Sequence, residues 1–410
     1  MSAHFDALET RSADERTAAL ARVLPAQIAH AQLNTAWFAE SFKGIDAASI
    51  TSRAALAGLP VIRKHDLIEL QKNRRPFGGL VASSFGKLGR VFSSPGPIYE
   101  PEGRGADYWR TARALFAAGF RPGDLVHNSF SYHMTPGAWI LEAGAQALGC
   151  TVFPAGVGQT EQQIEAMRDL QPQGYVGTPS FLRILLEKAD ELKIPLPSLT
   201  KALVSGEAFL PPVRDALLAR GIAGYQAYAT ADLGVIAYET EARQGLVVDE
   251  GVILEIVRPG TGDPVAEGEV GEVVVTTFNV DHPLIRFGTG DLSAVMAGDS
   301  PCGRTNMRIK GWMGRADQTT KIKGMFVHPE QIAAIVKRHP EIRKARLVVT
   351  NPESIDSMAL HCEASSDAAL VRAISDSIRE VTKLRGEVAL VKLGSLPNDG
   401  KVISDERKYD

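Results

Sequence analysis

The chain has 410 residues, of which 44% are hydrophobic and 23% are charged, values typical of a globular protein. This length exceeds what one hydrophobic core usually organises, so we expect at least two lobes. The formal net charge of −3 excludes the basic surface by which proteins bind nucleic acids. No apolar run approaches the roughly 18–20 residues of a membrane-spanning helix, so we expect no membrane association.

The N-terminal segment and the cysteines bear on the cellular compartment. The segment reads MSAHFDALETRSADER and has no apolar stretch, so we expect no secretory signal. Cys150, Cys302 and Cys362 lie far apart in sequence, which disfavours a disulfide framework or a thiolate zinc site. Free thiols are typical of a reducing compartment, so we expect a cytoplasmic protein. The assembly that we consider is a homodimer, the commonest symmetric oligomer.

The N-terminal 75 residues have the pattern of helices. Apolar positions recur at intervals of three and four from Asp14 to Phe42, and the segment Val61–Lys72 continues the pattern. From Lys87 onward, short apolar runs alternate with helical stretches. The predicted strands are RVFSS, DLVHNSF, CTVFPAG, GYVGTP and KALVSGE, and the predicted helices cover 106–118, 137–148, 161–170 and 180–192. This rhythm predicts an open parallel sheet with helices on both faces and ligand-binding loops at its carboxyl edge.

The pattern changes again at Val247. The segments VVDEGVILEIVRP and GEVGEVVVTTF predict strands of an antiparallel unit. After Gly314, Pro329 stands in the first turn of an amphipathic helix, which follows a predicted strand. Further strands are predicted at RKARLVVT, SMALHCEA and EVALVKLGS, and a second helix at LVRAISDSIREVTKL. We therefore predict a large N-terminal domain over residues 1–314 and a small mobile C-terminal domain over residues 315–410.

Three motifs of the C-terminal part occur in an informative order. They are FGTGDL (Phe287–Leu292), GRADQTTKIKG (Gly314–Gly324) and the dipeptide Gly400-Lys401. Each motif alone is weak evidence, but the three in this order form a specific constellation. With it the chain resembles the adenylate-forming superfamily of acyl-CoA ligases, in the branch of the phenylacetate–CoA ligases. The resemblance covers nearly the whole chain and implies an α/β fold, in which a large lobe of sheets flanked by helices, with a β-strand unit, carries a small α+β lid.

The resemblance implies roles for residues of these motifs. Asp291 would bind the ribose hydroxyls, because a carboxylate accepts hydrogen bonds from both of them. Arg315 would offer its fork of donors to the ribose or a phosphate, and Asp317 would be the hinge between the domains. Lys323 and Gly324 would line the passage for CoA. Ordinary surface salt bridges and strand bulges also use such residues.

The same resemblance makes Lys401 a catalytic residue. Its ammonium group would enter the site for adenylation and leave afterwards, because a charge on a flexible stem suits a transient contact with phosphate. A lysine near a chain terminus is otherwise a solvated side chain.

Two strand ends of the predicted sheet carry candidate adenine contacts. SGEAF supplies Gly206 and Glu207, and YQAYATADLG supplies Tyr228, the aromatic residue that would pack on adenine. In the second motif Ala229 stands where the family has glycine. Asp232 stands where the family has the glutamate that holds Mg²⁺. Aspartate is also a hard oxygen ligand, although it is one methylene shorter.

The phosphate loop departs most from the family pattern, which is a Ser/Thr/Gly-rich run that ends in Gly-Lys. The corresponding run is RVFSSPGPIYEPEG, which keeps Ser93, Ser94 and Gly96. Its two prolines lack N–H donors, its two glutamates add negative charge, and no lysine follows. The loop is equally compatible with phosphate binding and with another role.

The segment SYHMTPGAW lies in a predicted loop before a helix, where the resembling branch has residues of its acyl pocket. It implies that Tyr132, His133 and Trp139 wall a pocket for an aromatic acid, since such pockets are mostly apolar with a few polar groups. A single histidine is as often structural, so both roles of His133 stay open.

Taken together, these motifs predict an AMP-forming acid–CoA ligase for an aromatic or similar small carboxylic acid. ATP would form the acyl-adenylate with Mg²⁺ near Asp232, and CoA would then take the acyl group after the lid rotates. In one alternative the acyl group passes to a carrier-protein thiol or an amine. In the other the chain is a non-catalytic nucleotide- or acyl-binding protein.

Overall fold

The computed structural model describes residues 3–94, 97–316, 318–322, 325–352, 356–365 and 367–407. The predicted site residues Gly96, Asp317, Lys323 and Gly324 lie outside these ranges. The chain divides into two compact units. The first comprises Met1–Leu254, Val275–Phe287 and Met296–Trp312, and the second comprises Glu255–Val274, Gly288–Val295 and Met313–Asp410. Within the described ranges, none of the helices is long and apolar enough to span a membrane. The boundary at Gly314 and the mobile lid stay predictions.

The N-terminal region is helical, as the periodicity predicts. Its elements are α1 (Ala13–Asn34), α2 (Ala36–Ser41), α3 (Arg53–Ala57), β1 (Ile62–Arg63) and α4 (Asp66–Asn73), with 3₁₀ turns at Ala7–Thr10, Ala47–Ser49 and Phe85–Lys87. Ser12 and Glu15 form a capping box at the start of α1. The helix predicted over Val61–Lys72 begins only at Asp66, because the N–H of Ile62 donates instead to the carbonyl of Arg286 at 3.2 Å.

The segment RVFSS is not a strand of the parallel sheet, which corrects the prediction. It forms β2 (Arg90–Ser94), which pairs antiparallel with β3 (Ile98–Glu102) in a separate two-stranded sheet. The phosphate-loop segment is therefore a hairpin. Both halves of the run have the extended backbone that lets them pair with each other, and strand periodicity does not identify the partner.

The parallel sheet of the first unit confirms the predicted alternation of strands and helices. Its strands are β4 (Leu125–Asn128), β5 (Thr151–Pro154), β6 (Gly174–Gly177), β7 (Lys201–Val204) and β8 (Ala223–Thr230). They alternate with α5 (Thr111–Ala117), α6 (Gly137–Ala147), α7 (Thr160–Leu170), α8 (Pro179–Glu191) and α9 (Pro211–Ala219). Helix α5 begins later than predicted, because Asp107 and Arg110 have positive φ and the Asp107 carboxylate accepts from the N–H of Thr111 at 2.7 Å.

Further strands extend this sheet, and others form a second sheet. They are β9 (Gly234–Glu239), β10 (Leu246–Val248), β11 (Val252–Val257), β12 (Gly271–Thr277), β13 (Phe287–Ser293), β14 (Val295–Met296) and β15 (Arg308–Ile309). The pairing is antiparallel from β8 through β9 and β10 to β15. Among the described residues, the larger sheet has the order β14-β15-β10-β9-β8-β7-β6-β4-β5, and a smaller sheet has the order β1-β13-β12-β11. The predicted β-strand unit after Val247 is therefore present. Apolar side chains such as Leu115, Val126 and Val176, all fully buried, form the core beneath the parallel strands.

The C-terminal part of the second unit has the predicted α+β pattern. Its elements are β16 (Thr320–Ile322), β17 (Met325–Val327), α10 (Pro329–Arg338), β18 (Lys344–Thr350), β19 (Ser357–Glu363), α11 (Ala368–Thr382), β20 (Glu387–Val391) and β21 (Ile403–Asp405). Its sheet has the order β20-β19-β18-β21, and fully buried residues such as Ile335, Leu360 and Ile374 form its core. The sequence pattern does not predict strand β21. It lies parallel to β18, with Leu347 opposite Ile403.

Candidate functional site

The hairpin β2–β3 brings a carboxylate onto the serines of the candidate phosphate loop. The N–H of Ser94 donates to Oε2 of Glu100 at 3.2 Å, and the Ser94 hydroxyl donates to Oε1. Glu100 is only 1% exposed, and its burial, together with the charge of Asp232, raises its pKa to about 8. Ser93 lies beside it and donates its N–H to the carbonyl of Met134 at 2.9 Å. The donors of Ser94 thus already hold an acidic group of the chain itself.

Asp232 lies in the turn between β8 and β9, and its side chain is fully buried. The ammonium of Lys64 donates to its Oδ2 at 2.6 Å. Its other oxygen, Oδ1, is buried and has no hydrogen-bond partner in the part of the chain that the structure describes. Buried His282 has its pKa lowered to about 4 by burial, which the charge of Asp232 opposes. We call Lys64, Ser94, Glu100, Asp232 and His282 the Asp232 cluster.

The donor set of Asp232 fits a magnesium ion. Mg²⁺ takes oxygen ligands and is usually held by one or two carboxylates together with phosphate oxygens and water. The free oxygen of Asp232 offers one such ligand. Among the described residues, no three His, Cys, Asp or Glu side chains converge to hold a metal alone, so a bound nucleotide would have to complete the coordination.

The candidate adenine contacts Gly206 and Glu207 lie at the carboxyl end of β7, between the ends of the neighbouring strands β6 and β8. Gly206 follows β7 with φ of +81°, a backbone conformation that favours glycine. The preceding Ser205 donates its N–H to the carbonyl of Gly177 at 3.1 Å and its hydroxyl to the carbonyl of Ala227 at 2.8 Å. These bonds tie the ends of β6, β7 and β8 together. Exposed Glu207 accepts from the hydroxyl of Ser180 at 2.9 Å.

Tyr228 and Ala229 lie on β8 at an irregularity of the sheet. The register between β8 and β9 shifts between these two residues, as at a β-bulge. Tyr228 is buried and Ala229 is half-buried. Bulges commonly re-aim side chains beside active sites, and this one lies in the segment that ends at Asp232.

Two of the three candidate acyl-pocket residues pack together. The rings of Tyr132 and Trp139 meet edge to face with centroids 5.1 Å apart, and the guanidinium of Arg90 lies 4.0 Å from the centre of the Trp139 ring. The Tyr132 hydroxyl donates to Glu142 at 2.6 Å, and burial and this contact raise its pKa. His133 is exposed, with its N–H bonded to the Ser131 hydroxyl at 3.1 Å. The structure therefore groups Tyr132 and Trp139 without the His133 side chain.

Within the second unit, Asp291 and Arg315 form an ion pair. Nη1 of Arg315 lies 2.9 Å from Oδ1 of Asp291, and the two residues also form an isolated antiparallel bridge. The N–H of Ala316 donates to the carbonyl of Gly290 at 2.7 Å, and the N–H of Asp291 donates to the hydroxyl oxygen of Thr289 at 3.1 Å. The backbone bonds hold the two candidate ribose contacts beside each other.

Lys401 lies in a tight turn of the second unit. Gly400 has φ of +70°, and a Cβ there would lie 2.7 Å from Cγ1 of Val270, so only glycine fits without displacement. The N–H of Val270 donates to the Asn398 side chain at 3.1 Å, which fixes the turn. Lys401 is exposed. Together with basic residues such as Arg258 and Lys344 and acidic residues such as Glu267 and Glu330, it lines a cavity of about 1200 Å³.

Sequence reasoning did not identify several residues of the site. Lys64, His282 and Glu142 belong to none of the motifs, and Glu100 is one of the two glutamates in the phosphate-loop run. Lys64 and Asp232 are 168 positions apart, and no motif connects them. A single lysine before a helix does not indicate a functional site, so only the tertiary fold shows that Lys64 contacts Asp232.

Comparisons with known proteins agree with this architecture. The family described as "AMP-binding enzyme" matches residues 110–280. The chain is 32% identical to a phenylacetate-coenzyme A ligase of Thermus thermophilus, over 78% of this chain and 75% of that protein. It is 30% identical to the phenylacetate-coenzyme A ligase of Aromatoleum evansii, over 89% and 85% of the two chains.

A solved structure shows the same fold. The crystal structure of 2-hydroxyisobutyryl-CoA ligase, in an open conformation with 2-HIB-AMP and CoA, matches with a TM-score of 0.73 and 27% identity. The match covers 97% of this chain and 92% of that one. The predicted adenylate-forming fold is therefore confirmed. Since relatives of 30% and 32% identity extend over most of both chains, this protein belongs to the phenylacetate–CoA ligase family of adenylate-forming enzymes.

Proposed function

We propose that this protein is an AMP-forming acid–CoA ligase. It joins ATP to a small carboxylic acid to give an acyl-adenylate and pyrophosphate, and then transfers the acyl group to the sulfur of CoA. The observation that carries this proposal is the extended identity to phenylacetate-coenzyme A ligases, which spans most of the chain. The acyl-adenylate has a good leaving group, so the chemistry requires no covalent enzyme nucleophile.

The arrangement of Asp291 and Arg315 supports nucleotide binding. The Asp291 carboxylate is a suitable acceptor for a ribose diol, because a carboxylate has about four lone-pair sites and can accept several hydrogen bonds. The Arg315 side chain is about half exposed, with a relative exposure of 47%, so a ligand can reach its guanidinium group. Tyr228, at the bulge of β8, would pack on adenine, and the turn of Gly206 would bring backbone close to it.

Asp232 would hold Mg²⁺ through the oxygen that has no protein partner. The ion, when bound, neutralises negative charge on the phosphate oxygens. Lys401 would add a second positive charge during adenylation and withdraw afterwards, as the resemblance implies for this Gly-Lys motif.

We propose an aromatic or similarly small acid as the substrate. Tyr132 and Trp139 offer packed aromatic faces, and Glu142 adds a polar group that binds the Tyr132 hydroxyl. The relatives named above include ligases for phenylacetate and for 2-hydroxyisobutyrate, so both acids belong in the panel that tests this protein.

One observation favours a second candidate function, a nucleotide- or acyl-binding protein without turnover. The Ser94 donors are held by Glu100, so a triphosphate would have to displace an acidic side chain. Under this alternative the chain would bind AMP or an acyl-adenylate and would not release pyrophosphate.

Pyrophosphate release separates these functions. The purified protein is incubated with ATP, Mg²⁺ and a panel of aryl and short hydroxy acids, and pyrophosphate is measured with and without CoA. Acid-dependent release, with an acyl-CoA product seen by mass spectrometry, supports the ligase. AMP binding without release with any acid supports the second candidate. If pyrophosphate is released but the product is a thioester on a carrier-protein thiol, or an amide on an amine, that thiol or amine replaces CoA as the acceptor.

A further inference from the structure

Lys64 lies where the Asp232 cluster meets solvent. It stands between β1 and α4, and backbone bonds on both sides hold it in place. The N–H of Ile62 donates to the carbonyl of Arg286 at 3.2 Å, and the N–H of Arg63 donates to the carboxylate of Asp66 at 3.0 Å. The Lys64 side chain keeps 26% of its surface exposed while its ammonium reaches a carboxylate that is fully buried. The side chain therefore borders both solvent and the buried carboxylate.

The contact between Lys64 and Asp232 leaves the cluster incomplete. Lys64 donates to Oδ2 at 2.6 Å, whereas Oδ1 is buried and has no partner among the described residues. A buried acceptor without a partner is costly in free energy. Such atoms in native proteins commonly mark a place that an ion, a water molecule or a ligand completes. A counter-ion with only a structural role would not explain this second oxygen.

The phosphate-loop hairpin ends in the same cluster, and no lysine follows its serines. Ser94 offers its N–H and hydroxyl there, and both are taken by Glu100. The charge of Lys64 lowers the pKa of Glu100 and that of Asp232 raises it, so these groups lie within electrostatic reach of one another. A triphosphate that displaced Glu100 from Ser94 would need a cation in this place, and Lys64 is the lysine of the cluster.

We propose that Lys64 is the phosphate-binding cation of this enzyme and takes the part of the lysine that its phosphate loop lacks. Without nucleotide, the ammonium holds Asp232. With ATP bound, it donates to the terminal phosphate oxygens, and Asp232 is left to its other ligands. No covalent bond to the lysine forms or breaks, and the ammonium keeps its protons. This inference rests on the proposed function, because it assigns the nucleotide of that reaction to the Asp232 cluster.

The test compares the binding of ATP and of AMP. Calorimetry in the presence of Mg²⁺ gives both dissociation constants for the wild type and for the variants K64M, K64Q and K64R. The matched control is K72M, which removes an exposed lysine of α4 that pairs with Glu69 at the surface. A hydrogen bond to a charged group is worth a factor of about 10–100 in affinity, so K64M and K64Q are expected to weaken ATP binding by that factor. AMP binding should change less than about threefold by the same reasoning, since AMP lacks the terminal phosphates.

K64R should recover part of the ATP affinity, and K72M should behave as the wild type. Wild-type ATP affinity in K64M and K64Q overturns the proposal. Equal loss of ATP and AMP binding together with a lower melting temperature also overturns it, because that result would show that Lys64 is a structural counter-ion of Asp232. ATP binding by the wild type without pyrophosphate release with any acid rejects the ligase function alone, and the Lys64 variants then still decide this inference. Absence of any ATP binding by the wild type rejects both.

Discussion

The carboxyl group of Glu100 accepts hydrogen bonds from both the N–H and the hydroxyl of Ser94. The two residues belong to opposite strands of the hairpin that stands in the place of a phosphate loop. The chain thus supplies an acidic group to the donors that the family gives to phosphate. Because burial raises the pKa of Glu100 to about 8, this side chain is mostly protonated at neutral pH. It therefore adds little negative charge to the cluster.

The first prediction concerns stability and pH. Folding raises the pKa of Glu100 from 4.5 to about 8, so the folded chain binds a proton that the unfolded chain releases between these values. The stabilising contribution is complete below about pH 4.5 and is lost as the pH rises through 8. We expect the free energy of unfolding to fall by up to about 1.4 kcal/mol per pH unit in this window from this group. Urea unfolding of wild type and E100Q at pH 5.5, 7 and 8.5 measures it, and parallel pH profiles would contradict it.

The second prediction concerns ATP affinity. At pH 6.5 Glu100 is mostly protonated and resembles glutamine, so E100Q and the wild type should have similar KM values for ATP. At pH 9 the ionised carboxylate repels a triphosphate, and the wild type should need several-fold more ATP than E100Q. Pyrophosphate release at the two pH values provides the measurement. A constant ratio of the two KM values would show that Glu100 does not face the nucleotide.

The third prediction tests the ribose contacts. D291N should weaken AMP binding about 10–100-fold, because it removes the charge that accepts from the ribose hydroxyls and from Arg315. R315M should weaken it by a smaller factor. D299N changes an exposed aspartate nearby in sequence and serves as the control. Fluorescence titration with AMP gives the affinities, and unchanged binding in D291N would remove Asp291 from the nucleotide site.

The fourth prediction separates the two half-reactions. K401A should lose adenylation, measured as pyrophosphate release, by about a hundredfold or more, since an interaction with transition-state charge is worth that much. It should keep thioester formation from a supplied acyl-adenylate and CoA. K392A removes another exposed lysine of the same unit and should keep both activities. Equal loss of the two half-reactions in K401A would argue against a lysine that leaves the site after the first step.

The fifth prediction concerns a buried ion pair of the first unit. Glu9 is 1% exposed and accepts from Nε of Arg304 at 2.9 Å and from the Tyr238 hydroxyl at 2.7 Å. E9A leaves the buried Arg304 guanidinium with a longer carboxylate contact, to Glu241 at 3.5 Å, and should lower the free energy of unfolding by about 3–5 kcal/mol. E69A, at an exposed position, should change it by less than about 0.5 kcal/mol. Urea unfolding of both variants gives these values, and near-neutral behaviour of E9A would contradict the prediction.

The sequence predicted the elements whose signals are local. Helix α1 follows from a 3.6-residue apolar period within one stretch of chain, and the structure adds the Ser12–Glu15 capping box at its start. The alternation of strands and helices over the parallel sheet follows in the same way. The errors occurred where a distant partner decides the local structure. Ile62 pairs with Arg286, and RVFSS pairs with the strand after its own turn instead of joining the sheet.

By itself the sequence determined the enzyme family, the fold class and the candidate nucleotide contacts, because motif order and periodicity are written along the chain. Only the tertiary structure decided that Lys64 contacts Asp232, that Glu100 holds Ser94 and that one oxygen of Asp232 is left without a partner. The reason is physical. A pattern fixes which face of an element is apolar, but the distance and burial of two charged groups depend on how separate elements pack, and these determine both their pairing and their pKa values.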